Sequence, residues 1–225
     1  MHGKAEGNAN VAQTALKATE VSARRSSAIP VGTFLPLGRC VPAGRLHWYV
    51  LRVPEGREQA ACDRVSRILP EGLADEVFVP CRERYIKRAG AWSVQSAPMW
   101  RGYAVAATRN AEALAKALVN LGAQAAPVGA TVEGWAPLTD EAQAWLESVM
   151  DAGRVVRASV GSIDRSGLRV AFGPLAGQEE RVVKIDRHRR QCWVQVCGAR
   201  IPMPLEVPFK DVARESVERR GAEAR

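Results

Sequence analysis

Residues 167–210 are cut into apolar runs of only about five residues, at 168–172, 181–185, 192–196 and 200–204. Turns at Gly173-Pro174, at 187–190 and at Gly198 part them. Runs this short and this closely spaced are too brief for core helices. They suit strands, and a small closed β-barrel is the arrangement that leaves such strands without exposed edges. Val182, Val183 and Ile185 are β-branched and favour extended backbone. In Gly173-Pro174-Leu175-Ala176-Gly177 the glycines permit a tight turn and Pro174 fixes φ. The stretch Asp186-Arg187-His188-Arg189-Arg190 then sets three arginines and a histidine in a turn that Asp186 opens.

The half before this region has a different grammar. Residues 48–53 are apolar on both faces, the mark of a central strand. A helix is predicted over 57–69, with Ala61, Val65, Ile68 and Leu69 as its apolar stripe. A short strand at 77–80, a hairpin around Gly90 and a longer strand over 99–107 follow. Asn110 and Thr139 are placed to cap two more helices, faced by Leu114, Ala117, Leu118 and Leu121 and by Ala142, Trp145, Leu146 and Val149. The fold class expected is therefore α+β: an antiparallel sheet with helices on one side, plus a small β-barrel. The organisation expected is a disordered extension over 1–44, an α+β domain over 45–150, a linker over 151–166, the barrel over 167–210, and a charged tail over 211–225.

Charge separates the halves. Residues 45–150 carry 12 basic and 12 acidic side chains, whereas 155–210 carry 10 basic and 5 acidic. Part of the overall +8 is thus concentrated in the barrel region, and a basic module of this kind suits nucleic acid. The candidate nucleic-acid-binding residues are Arg181, Lys184, Arg187, His188, Arg189 and Arg190.

Other chemistries find no support. The five cysteines (Cys40, Cys62, Cys81, Cys192, Cys197) form no CxxC pair and there are three histidines, so zinc spacing is absent. Neither a catalytic constellation nor a phosphate loop is present, and no cofactor or metal is expected. The adjacent pair Asp140-Glu141 opens a helix, where complementing the helix dipole accounts for it. No apolar run reaches the roughly 18 residues of a membrane helix. The apolar stretch after Arg24-Arg25 is broken by Pro30, Gly32, Pro36 and Gly38, which argues against export. A cytoplasmic location and a monomeric state are expected.

Taken in order, these segments carry a resemblance. Gly173-Pro174-Leu175-Ala176-Gly177 with Val182-Val183-Lys184-Ile185-Asp186-Arg187 resembles a KOW motif. Trp48-Tyr49-Val50, residues 77–80, Trp100-Arg101-Gly102-Tyr103 and Pro137-Leu138-Thr139-Asp140-Glu141 resemble the amino-terminal domain of NusG-type transcription elongation factors. The resemblance implies that the first domain grips the clamp helices of RNA polymerase through an aromatic patch. Trp100 and Tyr103 would line it, with Trp48 or Tyr49 beside them. Large aromatics often anchor interfaces because they bury much area at low entropic cost.

Two positions depart from the family pattern. Arg101 stands where a proline usually precedes Gly-Tyr. Val196-Cys197-Gly198-Ala199 lacks the aromatic that, in general factors, helps contact the termination factor Rho and a ribosomal protein. Together with 185–190 and 204–207, this resembles the LoaP branch, antiterminators whose KOW domain binds a hairpin in leader RNA. The implied function is processive antitermination, with polymerase and an RNA hairpin as partners. The alternative is a general elongation factor that couples polymerase to Rho or the ribosome.

Overall fold

The computed structural model describes residues 34–208. The charged tail expected over 211–225, and residues 1–33 of the extension expected to be disordered, lie outside the described residues. In chain order the elements are β1 (His47–Arg52), α1 (Glu58–Ile68), β2 (Glu76–Phe78), β3 (Cys81–Arg88), β4 (Ala91–Pro98), β5 (Tyr103–Thr108), α2 (Ala111–Val119), β6 (Ala126–Pro127), β7 (Ala130–Thr131), β8 (Gly134–Trp135), α3 (Asp140–Val149), β9 (Val155–Val156), β10 (Ser159–Asp164), β11 (Gly167–Phe172), β12 (Val182–Asp186), β13 (Gln191–Val196) and β14 (Ala199–Glu206). This is a mixed α+β architecture.

The first sheet runs β2-β5-β1-β6 and is antiparallel, with Trp48 opposite Ala107 and Val50 opposite Val105. Side chains alternate across a strand, so β1 feeds two cores. Tyr49 and Leu51 join Ala61, Cys62 and Val65 of α1 and Leu114 and Leu118 of α2. Trp48 and Val50 join Ala142, Trp145, Leu146 and Val149 of α3. Helices therefore cover both faces of the sheet, not one. The physical reason is β1 itself, which is apolar on both sides and needs a layer on each. The caps form as the sequence indicates: Ala113 N–H donates to Asn110 Oδ1 (3.0 Å), and Ala142 N–H donates to Thr139 Oγ1 (3.2 Å).

The disorder expected up to residue 44 does not extend over 34–44. Leu35 is buried, Leu37 bridges to Leu138, and Gly38 N–H donates to the Pro137 carbonyl (2.7 Å). The strand expected over 99–107 is also shorter. The hairpin β3–β4 closes tightly through Ala89 and Gly90, both at positive φ, and runs on to Pro98. Residues 99–102 then make a turn, and β5 begins only at Tyr103.

That turn is held from below by Glu58, whose Oε1 accepts the Gly102 N–H (2.8 Å) in a buried setting. Burial works to raise the Glu58 pKa, but the N–H groups of Gly102, Gly56 and Glu58 itself, with Arg101 nearby, outweigh it and hold the carboxyl below its ordinary value. A depressed folded pKa gives stability that is present above the unfolded value and is lost as pH falls through the folded one. Glu58→Gln is therefore expected to destabilise the protein by about 1–2 kcal/mol at neutral pH. The difference from wild type should shrink below about pH 4. Urea titrations at both pH values check this.

The last sheet has the order β11-β10-β14-β13-β12. β10 runs parallel to β14 and the other neighbours are antiparallel. The ladder has two ends, β11 and β12, so what is seen is a five-stranded sheet, not a closed barrel. Bulges in the β10–β11 pairing after Val160 and in the β12–β13 pairing after Val182 bend it. The stretch 151–166, expected as a linker, contains β9 and β10. It is ordered because β9 pairs in parallel with β3, and β10 takes both β11 and β14 as partners. The apolar side of this sheet (Leu175, Cys192, Val194, Ile201, Met203) continues the core that contains Trp48 and Trp145. Polar contacts reinforce the junction: Trp145 Nε1–H donates to Gln178 Oε1 (3.0 Å), and Ala158 N–H donates to Glu83 Oε2 (2.6 Å).

Candidate nucleic-acid interface

The β12–β13 turn is built by its own residues. Asp186 pairs with Gln191 across the ladder, and Asp186 Oδ1 accepts the Arg189 N–H (3.0 Å). The Arg190 N–H donates to the Arg187 carbonyl (3.2 Å), and Arg190 takes φ +49°. This leaves Arg189 with 76% of its side chain exposed, 3.9 Å from Asp186, and His188 exposed beside the half-buried Arg187. Arg187, His188 and Arg189 are thus gathered at one tip.

The other sequence-predicted RNA contacts are placed differently. Arg190 turns inward. It donates to Glu206 Oε1 (2.8 Å), and its guanidinium lies 4.5 Å from the centre of the Trp92 ring and 5.2 Å from that of Tyr85. With its charge shared by Glu206 and its plane against two rings, it is a tie between the β3–β4 hairpin and the last sheet. Lys184 lies mid-strand over Trp193 (4.9 Å). Arg181 sits at the far end of β12 from the tip.

Between the tip and the β3–β4 hairpin lies a cleft of about 470 Å³. Arg82, Arg84 and Lys87 of β3 line it opposite His188, Arg189 and Arg190. Arg84 and Lys87 are exposed. Arg82 is different: Nη1–H donates to the Pro202 carbonyl, while Nε is buried with no acceptor among the described residues. Burial, with Arg84 adding repulsion, lowers the Arg82 pKa to about 10. The acidic neighbours are engaged elsewhere. Glu83 is held by Arg157 (3.2 Å) and by the Ala158 N–H, while Glu206 accepts from Arg190 and from the Tyr85 hydroxyl (2.9 Å). Sequence reasoning missed the hairpin wall. The signal was there in Arg82-Glu83-Arg84-Tyr85-Ile86-Lys87-Arg88, a strand whose cations interleave with an aromatic.

The aromatic set also divides. Trp48 and Tyr49 are each 2% exposed and belong to the two cores, so neither presents a ring to a partner. β1 has neighbours on both edges and both faces, which buries both rings. Trp100 and Tyr103 are half-buried, and Phe34 packs against both at centroid distances of 4.9 and 5.2 Å. Arg52 lies 6.0 Å from the Tyr103 ring.

No protein-family model matches this chain. No curated protein matches it either. Among solved structures it is similar to one from Thermotoga maritima described as "Domain interaction in Thermotoga maritima NusG", at 12% identity and a TM-score of 0.45, over 72% of this chain and 94% of that one.

The remaining chemistry is quiet. The cysteines are free thiols, and burial pushes Cys192 up to about 12. Burial, then Asp63, Cys81 and Glu58, does the same to Cys62, so neither is a nucleophile at neutral pH. Among the described residues no group of three His, Cys, Asp or Glu side chains is placed to hold a metal ion, and no helix is long and apolar enough to cross a membrane.

Proposed function

We propose that this chain is a processive transcription antitermination and elongation factor of LoaP-like type. Residues 45–150 hold RNA polymerase at its clamp helices, and residues 167–210, a KOW-type unit, hold a hairpin in leader RNA. It works as a cytoplasmic monomer. The observation that carries this reading is the tip at 187–189. Arg189 is exposed there, in a two-strand turn whose backbone Asp186 holds by accepting the Arg189 N–H, so a polyanion meets positioned charge. Arginine forks suit phosphate, and duplex RNA is read largely through its shape and its backbone.

Trp100 and Tyr103 are the polymerase contacts, presented by the turn that Glu58 holds. Trp48 and Tyr49 act behind them as core. The turn at Cys197-Gly198 carries no aromatic, which supports the specialised reading over coupling to Rho or the ribosome.

The test separates the two ends. Arg187→Ala with Arg189→Ala is expected to weaken binding to a leader hairpin by about tenfold or more in gel shifts, while polymerase still co-purifies. Trp100→Ala with Tyr103→Ala is expected to do the reverse. RNA affinity unchanged in the first variant, or normal polymerase co-purification of the second, overturns the corresponding half.

A further inference from the structure

The tip is only one wall of a larger basic cleft. We infer that the nucleic-acid site is composite: the phosphodiester backbone of the RNA runs through the cleft, held by Arg84 and Lys87 of the β3–β4 hairpin as well as by Arg189 of the tip. This rests on the RNA-binding reading above and adds a second wall drawn from the other half of the chain.

Three observations carry it. First, Arg84 and Lys87 both line the cleft although they leave opposite faces of β3. Three residues of extended strand separate them by about 10 Å, at roughly 3.3 Å per residue. That is longer than one phosphate group reaches, and it suits a linear polyanion better than a compact one. Second, the acidic side chains along the cleft are neutralised internally, Glu83 by Arg157 and Glu206 by Arg190, so the field facing the cleft stays positive. Third, Arg82 Nε is a buried donor with no acceptor among the described residues. A buried unpaired donor is costly and uncommon in a finished structure. Here Nε itself is closed to a ligand atom, so Arg82 acts on an anion in the cleft only through its charge.

Arg190 explains why the walls keep their spacing. Its guanidinium rests on Trp92 and Tyr85 of the hairpin while bonded to Glu206 of β14. Tyr85 donates to the same carboxylate, and Arg82 reaches the Pro202 carbonyl of β14. The site is thus pre-formed. Because the Trp92 ring already has Arg190 at 4.5 Å and Lys87 at 5.8 Å, the cleft holds backbone and does not stack a base on that ring.

The decisive variant is Arg84→Gln with Lys87→Gln, both exposed and on the hairpin, so the fold is expected to survive; circular dichroism and the melting temperature check that. Fluorescence anisotropy with a labelled RNA stem-loop is measured for the full chain across a salt series. Affinity is expected to fall about tenfold, and the log–log salt slope to become shallower by about 0.7–0.9 for each lost contact. If Arg187→Ala with Arg189→Ala weakens RNA binding while the hairpin variant leaves affinity and slope unchanged, the composite site is wrong and the tip alone binds. Should neither variant change RNA binding, the RNA reading falls with it. Inorganic tripolyphosphate is titrated in parallel. If it binds more tightly than the stem-loop and only its binding is lost in the hairpin variant, the cleft is a small-phosphate site and the inference is overturned.

Discussion

Trp48→Ala is expected to destabilise the protein by about 3–5 kcal/mol, the range for deleting a large buried aromatic. The ring is 2% exposed and meets Phe78 edge-on at 5.1 Å. The Arg154 guanidinium lies 5.2 Å from Trp48 and 4.6 Å from Phe78, and it is anchored by Glu76. Alanine leaves a cavity between β1 and α3 and removes a partner from a half-buried cation. For a chain of this size the melting temperature should fall by about 10 °C or more. A surface anchor behaves oppositely, losing partner affinity with little change in melting. Thermal denaturation of Trp48→Ala beside Trp100→Ala therefore reads directly which aromatics are core. Equal melting temperatures would return Trp48 to the surface.

Much of the fold was legible because it is locally encoded. Asn110 and Thr139 cap their helices through side-chain bonds to residues three positions on. The strands after residue 167 announce themselves through branched residues between turns, and β11 to β14 fall within a few residues of where they were expected. What could not be read is what long-range packing decides. Ser159–Asp164 ends in three exposed residues that pair with the neighbouring β11, and only its start, Ser159 and Val160, is set by β14, some forty residues later. Leu35 and Leu37 show no periodicity, and they are ordered by contact with the segment around Leu138.

The site divides in the same way. The tip cations follow from a turn sequence, but the inward rotation of Arg190 depends on Trp92 and Glu206, which only the tertiary fold brings near. The hairpin wall was invisible for that reason too. Arg84 and Lys87 look like ordinary solvated strand cations until β12–β13 is set across from them. Aromatic character alone does not distinguish an anchor from a core ring, and Trp48 and Tyr49 are core because β1 is covered on both faces.

Gly173→Ala is the other substitution with a large expected effect, and Gly177→Ala is its control. Both glycines sit in the turn after β11, both at positive φ, +100° and +76°. They differ in surroundings. A Cβ at Gly173 would lie 2.6 Å from Ser159 Cα and 2.7 Å from its Oγ, whereas at Gly177 it would meet nothing within 4 Å. Ser159 Oγ accepts the Leu175 N–H (3.1 Å), and Leu175 is fully buried in the core shared by both halves of the chain. Moving Ser159 to relieve the clash would pull on β10 where it begins to pair with β14, and on the anchor of Leu175. Backbone strain at Gly177→Ala should cost about 1 kcal/mol. At Gly173 the φ lies outside the left-handed region tolerated by other residues and the clash adds to it, so a loss of about 3 kcal/mol or more is expected. Urea denaturation of the two variants gives the comparison. A Gly173→Ala protein as stable as Gly177→Ala would mean that this turn does not approach Ser159, and the packing of the turn after β11 against β10 would have to be redrawn.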